Sequence, residues 1–326
     1  MSATFIGNGS DFKLLPLAGL NPDLLPPVNL HLPAEKTSRV RLYRSADIPI
    51  KASDIDALRA HGITELLVAS SDYEKIQPLL AANLGTLLSD ESHPQRERLG
   101  LLNRVVTDTL REAFSSNNMA DIVATTRELA THVVDIGIRS KNAIRDVAMI
   151  ANHDFCTFTH SANVASYGTL LAHAMGIRDT DELREIAAGG MLHDVGKLEI
   201  PNRILSKAGR LTKEEMTVTR LHPARGFQLL RREQEVSRGQ LMMAYQHHEW
   251  MNGDGYPVGC VGQELHLWAR ICAVVDVFEA LTGKRPYRRP NSISESLTIM
   301  ERESGTHFDE EILRCWKSNF LEGSRA

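Results

Sequence analysis

The sequence is poor in cysteine and in aromatic residues. Its 326 residues include four cysteines, none in a CxxC pair, and only 6% are aromatic. The chain begins MSATFIGNGSDFK, which lacks the basic and then apolar order of a secretion signal. Together these features predict a cytoplasmic protein with reduced thiols.

Long apolar runs and an excess of basic residues are also missing. No stretch of about 18 uncharged apolar residues occurs, so no membrane-spanning helix is expected. Lys and Arg total 37 against 41 Asp and Glu, a formal charge of −4. The chain therefore lacks the overall positive field that holds duplex nucleic acid. Its 42% hydrophobic residues are enough for one large core or two smaller ones.

The first third of the chain predicts a small α/β module. Residues 1–35 are rich in Pro, Leu and Asn without a sustained period, so we expect an arm or loop there. VRLY at 40–43 and ITELLVA at 63–69 indicate strands, and the helix between them is predicted to start from an N-cap at Ser53 and to end at Gly62. No catalytic cluster lies here, which favours a sensor or partner-binding module over residues 1–92.

Beyond residue 93 the apolar spacing changes to that of long helices. Apolar residues recur every three or four positions, as at Leu99, Leu102, Val106, Leu110 and Phe114. We predict a helical linker over 93–148, for which a signal carrier, a dimer seam and ordinary core helices remain open alternatives. An all-α domain over 149–326 follows, so the predicted fold class is α+β overall.

Nine of the thirteen histidines lie beyond residue 150, and several of them lie beside acids or beside one another. They occur within HDFCTFTHS at 153–161, LHDVGK at 192–197, LHP at 221–223 and HHE at 247–249, among other places. One histidine on an apolar helix is more often a core residue than a metal ligand. A set of this size favours a metal site.

Two acids are predicted to be buried. Asp194 follows the apolar-rich stretch ELREIAAGGML, and Asp276 lies within LWARICAVVDVFEALTG. A buried carboxylate needs a compensating cation, which for Asp276 is either a metal or a salt bridge to Arg270 or Lys284. The ligand types suit first-row transition metals, and their number favours two ions that share a bridging carboxylate. Two such ions are typical of phosphoester hydrolysis.

Lys197 lies four residues after His193. If the helix continues through Gly196, the two side chains share one face and the ammonium points at the metal site. Lys197 is then a phosphate clamp or a proton donor to the leaving group. The alternative is a cation that favours a helix C-terminus.

The order of these motifs resembles the HD-GYP branch of the HD phosphohydrolase superfamily. The resemblance spans about residues 150–320 and rests on HS at 160–161, HDVGK at 193–197, HP at 222–223, HHEWMNGDGYP at 247–257 and ARICAVVDVFEALTGKRPYR at 269–288. It implies a bacterial cyclic di-GMP phosphodiesterase with an all-helical catalytic domain and a multinuclear iron or manganese centre. Hydrolysis by in-line attack of a metal-bound hydroxide would yield pGpG, with GMP left open as a further product.

The resemblance also implies a role for individual residues. The ligands of one metal are His160, His193, Asp194 and Asp276, with Asp194 bridging, and those of the second are His222, His247 and His248. The catalytic residues are Asp194 and Lys197, and the substrate contacts are Lys197, Tyr256, Arg285 and Arg288. The GDGYP turn itself presents an aromatic face, although alone it is also compatible with an ordinary loop. KRPYRR supplies cations for a dianionic dinucleotide, although alone it is also compatible with a solvated run of charges.

One position departs from the family pattern. Members that hold a third metal carry Glu where this chain has Cys156, so we expect two ions, unless His153, Asp154 or the Cys156 thiolate supplies an unconventional ligand. Two other functions stay open. One is a catalytically weak adaptor that binds cyclic di-GMP or diguanylate cyclase (GGDEF) partners, and the other is hydrolysis of a different nucleotide. A homodimer is also left open.

Overall fold

The computed structural model describes residues 11–33, 40–139, 143–150, 157–207, 209–283 and 289–321. The chain divides into two compact units, Met1–Val105 and Val106–Ala326. The predicted class is confirmed, because the first unit carries a small sheet and the second is helical. The predicted domain boundaries at 92 and 148 stay predictions.

The first unit is built on a four-stranded antiparallel sheet in the order β1-β4-β2-β3 among its described residues. The strands are β1 (Phe12–Pro16), β2 (Leu30–Leu32), β3 (Arg41–Arg44) and β4 (Glu65–Ala69). β4 alternates in burial, with Leu66 and Val68 fully buried, so one face of the strand lies in the core. β1 pairs with β4 along its whole length, from Phe12 opposite Ala69 to Pro16 opposite Glu65.

Four helices accompany the sheet. They are α1 (Ala52–Ala60), α2 (Ser70–Ala82), α3 (Leu84–Ser89) and α4 (Gln95–Ser115), the last of which continues into the second unit. Tyr73, Ile76 and Leu80 recur on one side of α2 and are buried. This spacing of three and four residues is that of an amphipathic helix packed on a core.

Two expectations for the first unit are wrong. Residues 1–35 do not form only an arm, because β1 and β2 lie within them and two buried leucines follow β1 at Leu17 and Leu20. The N-cap of α1 is Lys51 rather than Ser53, and the backbone N–H of Lys51 donates to the Asp54 carboxylate at 2.8 Å. Strand pairing depends on distant partners, which a search for local periodicity does not detect.

The second unit is helical throughout its described part. Its helices are α5 (Met119–Gly137), α6 (Ala143–Ile150), α7 (Thr157–Ala174), α8 (Thr180–Leu192), α9 (Asn202–Leu205), α10 (Lys213–Thr219), α11 (His222–Leu230), α12 (Arg238–Gln246), α13 (Leu267–Thr282), α14 (Ile293–Glu301) and α15 (Glu310–Leu321). None of the helices in the described ranges combines the length and apolar character needed to cross a bilayer.

Helix α8 lies at the centre of the second unit and packs against α5, α7 and α12. Its close approach to α7 depends on Gly190, where a Cβ atom would lie 2.7 Å from the Cα of Ala165. Because backbone cannot yield at that distance, a residue without a side chain is required. This packing places the C-terminal end of α8 in the interior of the second unit, among the helices that surround it.

Candidate metal centre

The end of α8 places His193 and Asp194 in the interior. The helix ends at Leu192, His193 is its C-cap residue, and a 3-10 segment, Val195–Glu199, follows Asp194. His193 is fully buried and Asp194 is 5% exposed. A charged carboxylate at that depth requires nearby cations or hydrogen-bond donors.

Side chains from four further parts of the unit meet this dyad. His160 comes from α7, Asp276 from α13 and His222 from the first position of α11. His247 is the C-cap residue of α12, and His248 follows it. The structure therefore brings together seven predicted ligands that are spread over more than a hundred positions of the chain, namely His160, His193, Asp194, His222, His247, His248 and Asp276.

The ligating atoms form three overlapping groups, each with its atoms within 4.8 Å of one another. The groups are His160, His193 and Asp194; His193, His247 and Asp276; and His222, His247 and His248. We call the first together with Asp276 the His160 cluster, and the third the His222 cluster. These groups can hold divalent metal ions, as the sequence predicts.

Asp194 lies between the two clusters. Its Oδ2 lies 3.4 Å from His193 Nε2 and 3.7 Å from His160 Nε2. Its Oδ1 lies 3.2 Å from His222 Nε2 and 3.9 Å from His247 Nε2. One carboxylate therefore presents one oxygen to each cluster, which is the arrangement that a bridging ligand needs.

Four of the imidazoles form a hydrogen bond through Nδ1, on the side of the ring away from the cluster centre. Three Nδ1 atoms contact backbone carbonyl oxygens: His193 that of Gly190 at 2.7 Å, His222 that of Thr219 at 2.8 Å, and His247 that of Met243 at 2.9 Å. His160 Nδ1 instead contacts the Glu279 carboxylate at 2.5 Å. A carbonyl oxygen only accepts, so Nδ1 is the donor and Nε2 of a neutral ring presents a lone pair.

These contacts test whether the residues fit a metal. His222 Nε2 and His247 Nε2 face each other at 3.2 Å, and two lone pairs at that distance repel unless a cation lies near both. Asp194 Oδ1 is buried and has no hydrogen-bond donor among the described residues. Inward lone pairs beside an unsatisfied carboxylate oxygen are the donor set of a transition-metal site. The residues fit such a group.

The charge states of Asp194, His247 and His248 agree with a metal site. Burial opposes ionisation of Asp194, but the Lys197 ammonium and the His193 imidazole outweigh it and hold the pKa of Asp194 well below its usual range. Burial lowers the pKa of His247 far below its usual value and that of His248 to about 3. Both rings are therefore neutral near pH 7, which is the form that binds metals.

His160 behaves differently from the other rings. Burial alone would lower its pKa, but the carboxylates of Glu279 and Asp276 outweigh burial and raise the pKa of His160 to about 10. Asp276 Oδ1 lies 3.1 Å from His160 Nε2. A metal ion at Nε2 would displace the proton held there, so binding in the His160 cluster is expected to release a proton.

Lys197 does reach the site, but not by the predicted geometry. The α-helix does not continue through Gly196, so Lys197 and His193 do not share a helical face. Lys197 follows Asp194 by three residues, which is one turn of the 3-10 segment, and its ammonium donates to Asp194 Oδ2. The Lys197 side chain is 29% exposed, so this cation lies between the buried carboxylate and the surface.

Tyr256 lies beside the His222 cluster. Its ring stacks on His248 with centroids 4.8 Å apart, and the guanidinium of Arg220 lies over the ring at 5.1 Å. Burial raises the pKa of Tyr256, so its hydroxyl stays protonated. The ring thus contacts two side chains, one of them a predicted metal ligand.

Two acids that sequence reasoning missed hold this site in place. Glu279 contacts His160, and Glu249 accepts hydrogen bonds from the backbone N–H groups of Val258, Gly259 and Cys260 at 2.7 to 3.2 Å. Glu249 is only 2% exposed, so its carboxylate anchors the loop that carries Tyr256. Its position in HHE is a signal in the sequence, since an acid beside two ligands often supports them.

Some predicted residues lie outside the described residues. These are Cys156, His153 and Asp154, together with Lys284, Arg285 and Arg288. The alternative partner Arg270 is not next to Asp276, because its guanidinium pairs with Asp309 at 2.6 Å. Within the described part, Asp276 contacts imidazole instead.

A comparison with protein families gives a match to the HD domain over residues 147–312, about half of the chain. The chain belongs to the HD domain family. This confirms the resemblance predicted from the HD motif and places the seven predicted ligands inside the matched region.

Two curated relatives of this HD domain illustrate the similarity. The chain is 34% identical to a cyclic di-GMP phosphodiesterase of Pseudomonas aeruginosa, over 55% of this chain and 43% of the relative. It is 37% identical to the 3′3′-cGAMP-specific phosphodiesterase 3 of Vibrio cholerae, over 49% of this chain and 35% of the relative. The chain thus spans less than half the length of either relative.

A solved structure shares the fold over nearly the whole chain. It is a HDG"Y"P protein from Bdellovibrio bacteriovorus, with a TM-score of 0.67 and 18% identity, and the match covers 96% of this chain and 100% of that chain. At this identity the likeness concerns the fold alone.

Proposed function

We propose that this HD domain protein is a metal-dependent phosphodiesterase that hydrolyses cyclic di-GMP to pGpG. The observation that carries the proposal is Asp194, whose two oxygens face two separate sets of imidazoles 3.2 to 3.9 Å away. Such a bridge suits two ions, for which we propose iron or manganese with His160, His193, Asp194, Asp276, His222, His247 and His248 as ligands. Bound ions would supply Lewis-acid stabilisation of the phosphoryl oxygens and activation of the attacking water.

Lys197 is a cation that complements such a metal centre. Lys197 donates to Asp194 from a partly exposed position, so its ammonium can also contact a phosphate oxygen that enters from solvent. This position suits a clamp on the scissile phosphate or a proton donor to the leaving oxygen. Tyr256, with its protonated hydroxyl, is proposed to line the same entrance through the loop that Glu249 anchors.

The substrate is proposed from the names of the relatives. Cyclic di-GMP is named for the Pseudomonas aeruginosa relative, and the Vibrio cholerae relative favours a second candidate, 3′3′-cGAMP. The two nucleotides differ in one base and share the phosphodiester ring that the centre would attack. A further step from pGpG to GMP, contacts from Arg285 and Arg288, a cytoplasmic location, a GGDEF partner and a homodimer remain proposals from the sequence.

The test is hydrolysis by purified, metal-loaded protein prepared without air, with the products separated by nucleotide chromatography. Asp194→Asn is expected to abolish turnover, because the amide keeps the shape but loses the charge shared by both clusters. Asp181→Asn, at an 82% exposed position at the start of α8, the helix that Asp194 follows, is the matched control and is expected to leave turnover unchanged.

The outcomes separate the candidate functions. If the wild-type protein forms product from cyclic di-GMP and Asp194→Asn does not, the proposal is supported. If the protein prefers 3′3′-cGAMP, that nucleotide becomes the proposed substrate in place of cyclic di-GMP. Binding of either nucleotide without product would favour the adaptor. Undiminished turnover by folded Asp194→Asn, as judged by far-ultraviolet circular dichroism, would overturn the assignment of the centre.

A further inference from the structure

His160 differs from the other bonded imidazoles in the partner of its Nδ1 atom. The three other rings donate to neutral backbone carbonyls, whereas His160 donates to the Glu279 carboxylate. A hydrogen bond to a charged acceptor is stronger than one to a neutral acceptor. It also makes the imidazole a more basic metal ligand.

Glu279 is held in place by two hydrogen bonds from α7. It lies on α13, three residues after Asp276, and is 6% exposed. One of its oxygens contacts His160, and the other accepts from Asn163 Nδ2 at 3.2 Å. Asn163 is three residues after His160 on α7, so both contacts come from one face of that helix. The carboxylate is thus fixed against the ring.

The two clusters consequently differ in charge. The His160 cluster includes the carboxylates of Asp194 and Asp276, with Glu279 directly behind its imidazole, and the Lys197 ammonium on Asp194 Oδ2 offsets one of these three charges. The His222 cluster consists of three imidazoles that face the second oxygen of Asp194, and Asp276 lies within 4.8 Å of its His247, but the cluster has no carboxylate of its own. A divalent cation is attracted more strongly to the position with more negative charge around it.

From this asymmetry we infer that Glu279 is a positioning residue that makes the His160 cluster the tighter of two metal positions, so that ions load there first. The inference rests on the proposed metal centre and adds an order of loading to it. Removal of the Glu279 charge acts through His160 and leaves the ligands of the His222 cluster untouched.

The experiment is a titration of chelator-stripped full-length protein with Mn²⁺, in which electron paramagnetic resonance measures free Mn²⁺. The wild-type protein is expected to show two dissociation constants. Glu279→Gln is expected to weaken the tighter constant by about 10- to 100-fold, the usual effect of losing a partner behind a ligand, and to leave the weaker one unchanged. Glu279→Asp keeps the charge and is expected to recover part of the lost affinity.

Glu303→Gln is the matched control. Glu303 accepts from His307 Nδ1 at 2.9 Å, so it forms the same type of pair outside the ligand set, and its replacement is expected to leave both constants unchanged. If Glu279→Gln does not fold, Glu279→Asp tests the inference by itself. It is expected to weaken the tighter binding site by less than is expected for Glu279→Gln, and to leave the weaker dissociation constant unchanged.

Three results would overturn the inference. They are a single class of sites in the wild type, an unchanged tighter constant in the Glu279 variants, and an equal weakening of both constants. No nucleotide enters the titration. Ordered binding by a protein that hydrolyses neither cyclic dinucleotide would therefore refute the proposed function and leave this inference standing.

Discussion

At the scale of single residues, the chemistry depends on how Asp194 is kept charged while buried. Lys197 and the surrounding imidazoles stabilise its anionic form against the cost of burial. The HD motif identifies this carboxylate in the sequence, but the direction of each oxygen depends on the turn that follows α8. Glu279 and Glu249 escaped prediction because their partners, His160 and the backbone of 258–260, are distant or lie on the main chain.

Replacement of Lys197 tests its proposed role directly. Lys197→Ala is expected to lower kcat about 10²- to 10³-fold, the usual loss when one group that stabilises developing charge is removed. The measurement is steady-state hydrolysis of cyclic di-GMP with metal content determined on the same samples. Lys207→Ala is the control, because Lys207 is 34% exposed and pairs with Glu215 away from the ligands. An unchanged kcat with full metal content would show that Lys197 only neutralises Asp194.

At the scale of elements, the 3-10 segment after Asp194 must pass very close to the start of α11. A Cβ atom on Gly196 would lie 2.0 Å from the carbonyl oxygen of His222 and 2.5 Å from the nitrogen of Gly226. The sequence left open whether the helix continues through Gly196. The structure shows that the α-helix ends at Leu192 and that the segment after Asp194 packs against α11.

Gly196→Ala is therefore expected to reduce the free energy of unfolding by about 1–3 kcal/mol, the usual cost of overpacking a filled interior. Urea denaturation monitored by circular dichroism measures the change. Gly209→Ala is the control, since no atom lies within 4 Å of its added methyl group, and it should alter stability little. Equal stability of the two variants would mean that α11 can move away from the segment without cost.

At the scale of the whole molecule, the second unit converges on a buried group of acids and imidazoles. The ligands come from α7, α11, α13 and the C-terminal ends of α8 and α12, so ions bound there would link elements that are far apart in the chain. Because the folded state presents the ligands together and the unfolded chain does not, bound metal is expected to stabilise the fold.

Removal of metal with a chelator is expected to lower the temperature of thermal unfolding. A ligand present at 100 times its dissociation constant stabilises the folded state by about 2.7 kcal/mol, so the shift should amount to several degrees. Differential scanning fluorimetry with and without added Mn²⁺ measures it. Asp194→Asn should show a much smaller response. A wild-type midpoint that does not depend on metal would contradict the role of these residues as ligands.

The sequence by itself determined the helical class of the second unit through apolar periodicity, and its motifs, read through their resemblance to a known family, named seven candidate ligands, because both signals are local in the chain. Only the tertiary structure decided that β1 and β2 pair in one sheet with later strands, that Lys197 approaches Asp194 through a 3-10 turn, and that Glu279 supports His160. Each of these features joins residues that are distant in sequence or depends on close backbone packing. Physical contacts of that kind exist only once the chain has folded.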